Sequence, residues 1–281
     1  MKRILTIQDI SCFGRCSTTI ALPVLSAMGL ETVVLPTAVL STHTMFSGCT
    51  FRDLTGDLLP SARHWASLGV HFDTIYTGYL GSAKAVDAVL EILRLLRAED
   101  TLVFIDPVMG DGGRLYTGFD ETNVRRCAAL CREADVFVPN ITEACLLTGT
   151  AYAAPGSAQA DRAYYSGLLD ALHALGARTS VLTGVSFEDG KTGILGRSDH
   201  DFSVQTERVE ASYHGTGDLF SSVSAGALTL GLAPEEAFRM ACEFTAETIR
   251  ATLAAGGDPR TGIAFEGCLP DLIRRVQEAL R

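Results

Sequence analysis

Tyr213-His-Gly-Thr-Gly-Asp-Leu-Phe220, continued by Ser221-Ser-Val-Ser-Ala-Gly-Ala-Leu228, joins a loop of small residues to a helix. From Phe220, small or apolar residues recur at Val223, Ser224, Ala227 and Leu228, the spacing of one inward helical face. Gly215 and Gly217 lack a Cβ, so their backbone can approach a ligand closely. The positive end of the new helix points at the same place. Gly215, Thr216 and Gly217 therefore read as an anion hole. Asp218 follows in the first turn. Taken alone it reads equally well as a first-turn acid or as a base beside a bound phosphate.

Working outward, strands alternate with helices nearly throughout. Ile4–Ile7, Thr32–Leu35, Thr74–Tyr76, Leu102–Ile105, Val136–Val138, Ser180–Thr183, Thr192–Leu195 and Phe202–Gln205 read as strands. Thr18–Met28, Asp57–Leu68, Ser82–Arg97, Asp161–Leu175, Pro234–Leu253 and Leu269–Leu280 read as helices, and a short one ends at Thr148. No repeat or linker divides the 281 residues. The expectation is a single α/β domain over residues 1–281, in three αβα layers around a mostly parallel, doubly wound sheet.

Five polar or Gly-containing loops follow strands: Ser11–Ser17, Ser41–Gly48, Gly78–Gly81, Asp106–Gly113 and Asn140–Glu143. In a parallel sheet such loops gather at one edge, where ligands bind. Asp106 and Asp111 are paired acids in a turning backbone, which suits Mg²⁺ and its water shell. Asn140 and Glu143 also have the spacing of a capping box. Thr37 to Gly56 is expected to be a long loop, carrying His43 and Thr44. Gly190-Lys-Thr192 mimics the end of a P-loop but leads into a strand, and position 185 is valine. The clustering of these loops with an anion hole points to a kinase.

Composition narrows the partners. The net charge is −10 with no Lys/Arg run, which argues against a nucleic-acid or anionic-membrane surface. The first apolar run is interrupted at Gln8 and Asp9, so no leader is expected, and no apolar stretch reaches membrane-spanning length. The eight cysteines form no Cys-x-x-Cys, which fits free thiols and a cytoplasmic protein.

Several segments together resemble the ribokinase-like superfamily and, within it, the pyridoxal/pyridoxamine (vitamin B6) kinases. Gly215-Thr-Gly-Asp218 resembles the superfamily's phosphoryl-transfer signature. Asp106-Pro-Val-Met-Gly-Asp111 with Leu115-Tyr116, and Pro139-Asn140 with Glu143 and Leu146-Leu-Thr-Gly149, resemble the B6-kinase metal and ATP loops. Leu40-Ser-Thr-His-Thr44 and Thr77-Gly-Tyr-Leu-Gly81 resemble its substrate loops. The resemblance implies a ribokinase-like domain without a large lid, phosphorylating pyridoxal, pyridoxine or pyridoxamine with ATP. Asp218 would be the base. Asp106, Asp111, Asn140 and Glu143 would organise Mg²⁺, its waters and the ATP phosphates, with Asp106 and Glu143 nearest the metal through water. Thr183 and Thr216 would touch the nucleotide, and Ser11, His43, Thr44 and Tyr79 the pyridine. It further implies a homodimer and allows a monovalent cation (K⁺).

The sequence departs from the family in three places. The loop Ser11–Ser17 lacks the usual valines and glycine–asparagine ending, Gly184 stands where many relatives have serine, and Val138 replaces a threonine near the cation site of some members. A hydroxymethylpyrimidine kinase is the alternative enzyme, and a catalytically silent binding protein on this fold is the alternative outside catalysis.

Overall fold

The structure, a computed structural model, describes residues 1–281. β1 (Arg3–Phe13) lies inside a sheet covered on both faces, so Ile4, Leu5 and Ile7 are all fully buried despite pointing to opposite sides. It is followed by α1 (Thr18–Ala27), β2 (Glu31–Thr42), β3 (Phe51–Asp53), α2 (Thr55–Ser67), β4 (Thr74–Thr77) and α3 (Ala83–Leu96). Next come β5 (Leu102–Ile105), the small hairpin β6 (Gly110–Asp111) and β7 (Arg114–Leu115), α4 (Glu121–Glu133), β8 (Val136–Phe137), α5 (Ile141–Thr148) and α6 (Arg162–His173). The chain closes with β9 (Thr179–Val185), β10 (Lys191–Arg197), β11 (Asp201–Glu207), α7 (Thr216–Leu230), α8 (Pro234–Ala254) and α9 (Leu269–Ala279).

Nine strands form one sheet in the order β11-β10-β9-β8-β5-β4-β1-β2-β3. The strands from β9 across to β2 are parallel, and β3, β10 and β11 add antiparallel edges. The chain winds from β1 outward to β2, then returns to β4 and proceeds the other way. β1 and β4 therefore flank the point where strand order reverses, and their carboxyl ends open the crevice used for ligands in such sheets. Alternate strand residues feed two cores. Val103 and Ile105 join the core under α2 to α6, whereas Phe104 joins the core under α1, α7, α8 and α9.

The structure corrects several boundaries. β1 and β2 continue well past Ile7 and Leu35, pairing Ser11 with Leu40 and Phe13 with Thr42. Their register shifts between Gln8 and Ile10, opposite the stretch that starts at Pro36, a residue without an N–H to donate. The expected loop from Thr37 therefore begins as strand and returns as β3 on the outer edge of β2. Here tertiary pairing overrides a polar local sequence. α7 is buried almost all round from Leu219 to Ala227, because α1 and α8 pack on either side of it. In α9, Leu272 and Val276 face inward but Ile273 is exposed. Gly190-Lys-Thr192 runs into β10, paired on both edges, as the strand reading required.

Candidate active site

α7 starts at Thr216, with Gly215 as an N-cap that offers no side-chain hydrogen bond. The Thr216 N–H and hydroxyl both donate to the Tyr213 carbonyl, closing the turn. The next two first-turn amides, those of Gly217 and Asp218, have no intrahelical acceptor by position and are the pair available to an anion, whereas the Thr216 amide of the expected trio is taken. Gly217 has nothing within 4 Å of a built Cβ. Gly215 differs: its φ is +80°, and a Cβ there would lie 2.3 Å from the Arg15 carbonyl oxygen. Gly215 thus lets the β1–α1 loop pack against the helix start, while Gly217 keeps the anion site open.

Asp218 is half-buried in the same turn. Burial pushes its carboxyl up to about 6, the backbone N–H of Ser17 draws it back, and the charge of Asp9 raises it further. Ser17 is one of two non-glycine residues with positive φ, at 46°, and the other is Val108 at 23°. The backbone of each lies near a carboxylate and lowers it, Ser17 at the half-buried Asp218 and Val108 at the buried Asp106. Backbone strain at these points accompanies the placement of donors.

Asp106 ends the β5 run and accepts a hydrogen bond from the Ser221 hydroxyl of α7 at 2.6 Å. Its carboxyl is held well above the ordinary range, first by burial and then by the charge of Glu143, with Asp218 adding to the effect. Glu143 is fully enclosed and pushed up to about 7 by burial, against hydrogen bonds from the backbone of Asn140, Met109 and Gly110. The sequence's capping box is real. Asn140 Oδ1 accepts from the Glu143 N–H at 2.9 Å, and Glu143 Oε2 accepts from the Asn140 N–H at 2.9 Å. Glu143 does more than cap, since its Oε1 accepts from the Met109 N–H at 2.8 Å, while Asn140 Nδ2 donates to the Gly110 carbonyl at 2.8 Å. The Asp106–Asp111 loop is thereby fastened to the start of α5. Asp111 itself is exposed on β6, where its Oδ1 accepts from the Gly112 N–H. Thr183 reaches the same edge through its bridge to Asn140.

Asp106, Glu143 and Asp218 crowd negative charge together, and no Lys or Arg is among the groups that offset it. This donor set fits a Mg²⁺ ion that keeps most of its waters and is held by one or two carboxylates plus phosphate oxygens.

The substrate-side residues are less uniform. Tyr79 is half-buried after β4, feels the charge of Asp9, and lies 5.7 Å from the ring of Phe119. Ser11 is buried and donates its hydroxyl proton to Asp9 Oδ2 at 2.9 Å, so it supports a carboxylate. His43 donates from Nε2 to the Arg260 carbonyl at 2.7 Å, stacks 4.0 Å from His214, and fills the space beside Gly14. A carbonyl can only accept, so this ring is pinned between loops and its Nε2–H is not free for substrate. Thr44 is exposed beyond it, and the structure does not bring it to the carboxylates.

Sequence reading missed Asp9, Ser17 and Ser221. The signal for Asp9 was present: a charged residue directly after a buried run, at the carboxyl end of a central strand. Ser221 was legible as three residues beyond Asp218 on the same helical face. Nothing local marked the positive φ of Ser17.

The family model described as phosphomethylpyrimidine kinase matches residues 22–261. Among solved structures, a Bacteroides thetaiotaomicron protein provisionally named a phosphomethylpyrimidine kinase is 37% identical, with a TM-score of 0.91 over 96% of this chain and 93% of that one. The same protein has been crystallised with pyridoxal. The pyridoxal kinase of Lactobacillus plantarum is 32% identical, with a TM-score of 0.89 and full coverage of both chains. A provisionally named pyridoxal kinase of Schizosaccharomyces pombe is 30% identical over 152 residues, and that alignment spans only 48% of its length.

Proposed function

The chain belongs to the phosphomethylpyrimidine kinase family, and we propose that it transfers the γ-phosphoryl group of ATP to the hydroxymethyl group of pyridoxal, pyridoxine or pyridoxamine. The observation that carries this is Asp218, a carboxylate held near 6 beside the open first turn of α7. Asp218 accepts the hydroxyl proton of the substrate as its oxygen attacks the γ-phosphorus and ADP departs. The backbone amides at Gly217 and Asp218 stabilise the migrating phosphoryl oxygens. Asp106 and Glu143 would hold Mg²⁺ through its waters, and that ion supplies neutralisation of the nucleotide's charge. Thr183, Asn140 and Asp111 line the nucleotide side, and Tyr79 forms an aromatic wall for the heterocycle.

A pyridine substrate is favoured because one relative was crystallised with pyridoxal and another, 32% identical over its full length, is a pyridoxal kinase. The name of the matched family keeps hydroxymethylpyrimidine as the second reading. Retention of Asp218 argues against a silent binding protein. A homodimer is also part of the proposal. The β3 edge exposes Phe51, Arg52 and Asp53, Met45 is exposed in the segment before it, and exposed Phe13 packs on Phe46 of that segment, a surface suited to a second copy. Sedimentation would remove this part if the chain ran as a monomer throughout the micromolar range. No helix is long and apolar enough to cross a membrane.

The test is a substrate panel with ATP–Mg²⁺. Turnover is expected with the three B6 vitamers, much less with hydroxymethylpyrimidine, and none with ribose or after chelation of Mg²⁺. A clear preference for the pyrimidine would move the activity to the second reading.

A further inference from the structure

Asp9 has no part in the chemistry above, yet it is a carboxylate only 4% exposed, two residues beyond the last β1–β4 pair (Ile7 with Thr77) and beside the reversal of strand order. The register shift between Gln8 and Ile10 falls on it, and such irregularities re-aim side chains next to active sites. The donors that lower its carboxyl are all neutral: the hydroxyls of Ser11 and Ser17 and its own backbone. Ser11 Oγ–H donates to Oδ2 at 2.9 Å, and the Ser17 hydroxyl also stabilises the charge. The only basic side chain among the groups that perturb it is His43, whose Nε2–H is committed to the Arg260 carbonyl. The charge of Asp9 acts in turn on Asp218, Tyr79 and Cys16, so it is felt at the base and at the aromatic wall. A buried carboxylate with neutral donors and no firm counter-ion is costly unless a ligand brings positive charge.

We infer that Asp9 selects the heterocycle: its carboxylate accepts a hydrogen bond from the protonated ring nitrogen of the pyridine while Asp218 faces the hydroxymethyl group. The inference rests on the B6-kinase reading and adds to it a residue that tells a basic ring from an isosteric neutral one. In these vitamers one ring atom separates the nitrogen from the carbon bearing the hydroxymethyl group, so two neighbouring carboxylates can engage one molecule. Ser17 then has a double task in its strained conformation, with its hydroxyl serving Asp9 and its N–H serving Asp218.

The experiment compares kcat/KM for pyridoxal with that for its benzene counterpart, in which the ring nitrogen is replaced by C–H. The parent, Asp9→Asn and Asp9→Ser are each measured beside a melting curve. The parent is expected to favour the pyridine by at least about 10-fold, the scale of a charge-assisted hydrogen bond. Both variants should lose most of that preference through KM for pyridoxal, with KM for ATP unchanged. A parent that treats the two rings alike overturns the inference without needing any variant to fold. Variants that weaken both rings equally overturn it too, and in either case the kinase reading stands. A parent inert toward pyridoxal overturns both.

Discussion

At the α5 end of the cleft, Glu143 sits among backbone donors from Asn140, Met109 and Gly110, and Asp106 is met by Ser221 and Val108. At the β1 end, Asp218 has one amide donor, from Ser17, whereas Asp9 has the hydroxyls of Ser11 and Ser17 and its own backbone. Both ends bury carboxylates without Lys or Arg. The α5 end supplies enough donors to double as structure, tying the Asp106–Asp111 loop to a helix start. The β1 end leaves its base, Asp218, with a single donor. Donor-rich acids suit a site that is to be bridged by a cation and phosphates. Donor-poor acids are suited to exchanging protons or pairing with substrate.

The largest effect should follow from removing the donor-poor base. Asp218→Asn keeps the shape of the side chain, so folding and melting should change little and nucleotide affinity should stay similar or tighten slightly. Turnover should fall by at least about 10²-fold, the contribution of a positioned base. In the parent, activity should rise with pH through about 6, because the carboxyl must be ionised to accept a proton. The measurement is kcat for pyridoxal across pH beside a thermal melt. A well-folded variant with near-parental kcat would remove Asp218 as the base.

How far the sequence reached follows the same division. The α5 end was legible because its chemistry is local: Asn140 and Glu143 are three apart, and the Asp106–Asp111 loop is contiguous. The alternation of strands with helices likewise exposed the layers, because buried parallel strands read as short apolar runs. The β1 end was only half legible. Asp218 announced itself beside two glycines, but its link to Asp9 and Ser17 is formed across more than 200 residues of sequence and depends on a register shift and a positive φ. The pinning of His43 by Arg260 and His214 is long-range in the same way, so a histidine in a substrate-like motif carried no sign of being structural.

An intermediate effect is expected at the donor-rich end, and it concerns stability. Glu143 is raised from 4.5 to about 7 in the folded chain, so between those values the folded state keeps a proton that the unfolded state has released. That stabilisation is fully present below the unfolded value and is lost as pH rises through about 7. It amounts to about 1–3 kcal/mol on the scale of one pKa unit per ~1.4 kcal/mol. Glu143→Gln cannot ionise and should flatten this part of the pH dependence, while raising the Mg²⁺ concentration needed for turnover. Denaturant unfolding at about pH 5 and about pH 8, without nucleotide or Mg²⁺, reads the slope directly. Parallel slopes for parent and variant would mean that Glu143 is not the group that titrates.

The smallest effect separates the two glycines of the β1 end. Gly215 combines a φ of +80° with a built Cβ only 2.3 Å from the Arg15 carbonyl, and the Arg15 N–H is itself held by the Thr261 carbonyl at 3.0 Å. A side chain at Gly215 must therefore displace backbone that is anchored from a third loop. Gly217 lies inside the first turn of α7 with nothing near its Cβ position, so alanine fits there and even gains helix propensity. Gly215→Ala should cost about 1–3 kcal/mol, the usual range for backbone strain in a non-glycine residue. Gly217→Ala should be neutral or stabilising by up to about 1 kcal/mol. Activity should invert the contrast in its cause. Gly215→Ala would lower turnover together with stability, because Arg15 and the neighbouring Ser17 amide move with the loop. Gly217→Ala would leave the fold intact and raise KM for ATP by crowding the anion site. Melting curves paired with steady-state kinetics on both variants distinguish these outcomes. If Gly217→Ala lost stability as Gly215→Ala does, the first turn of α7 would be packed against protein, and the open anion site would have to be abandoned.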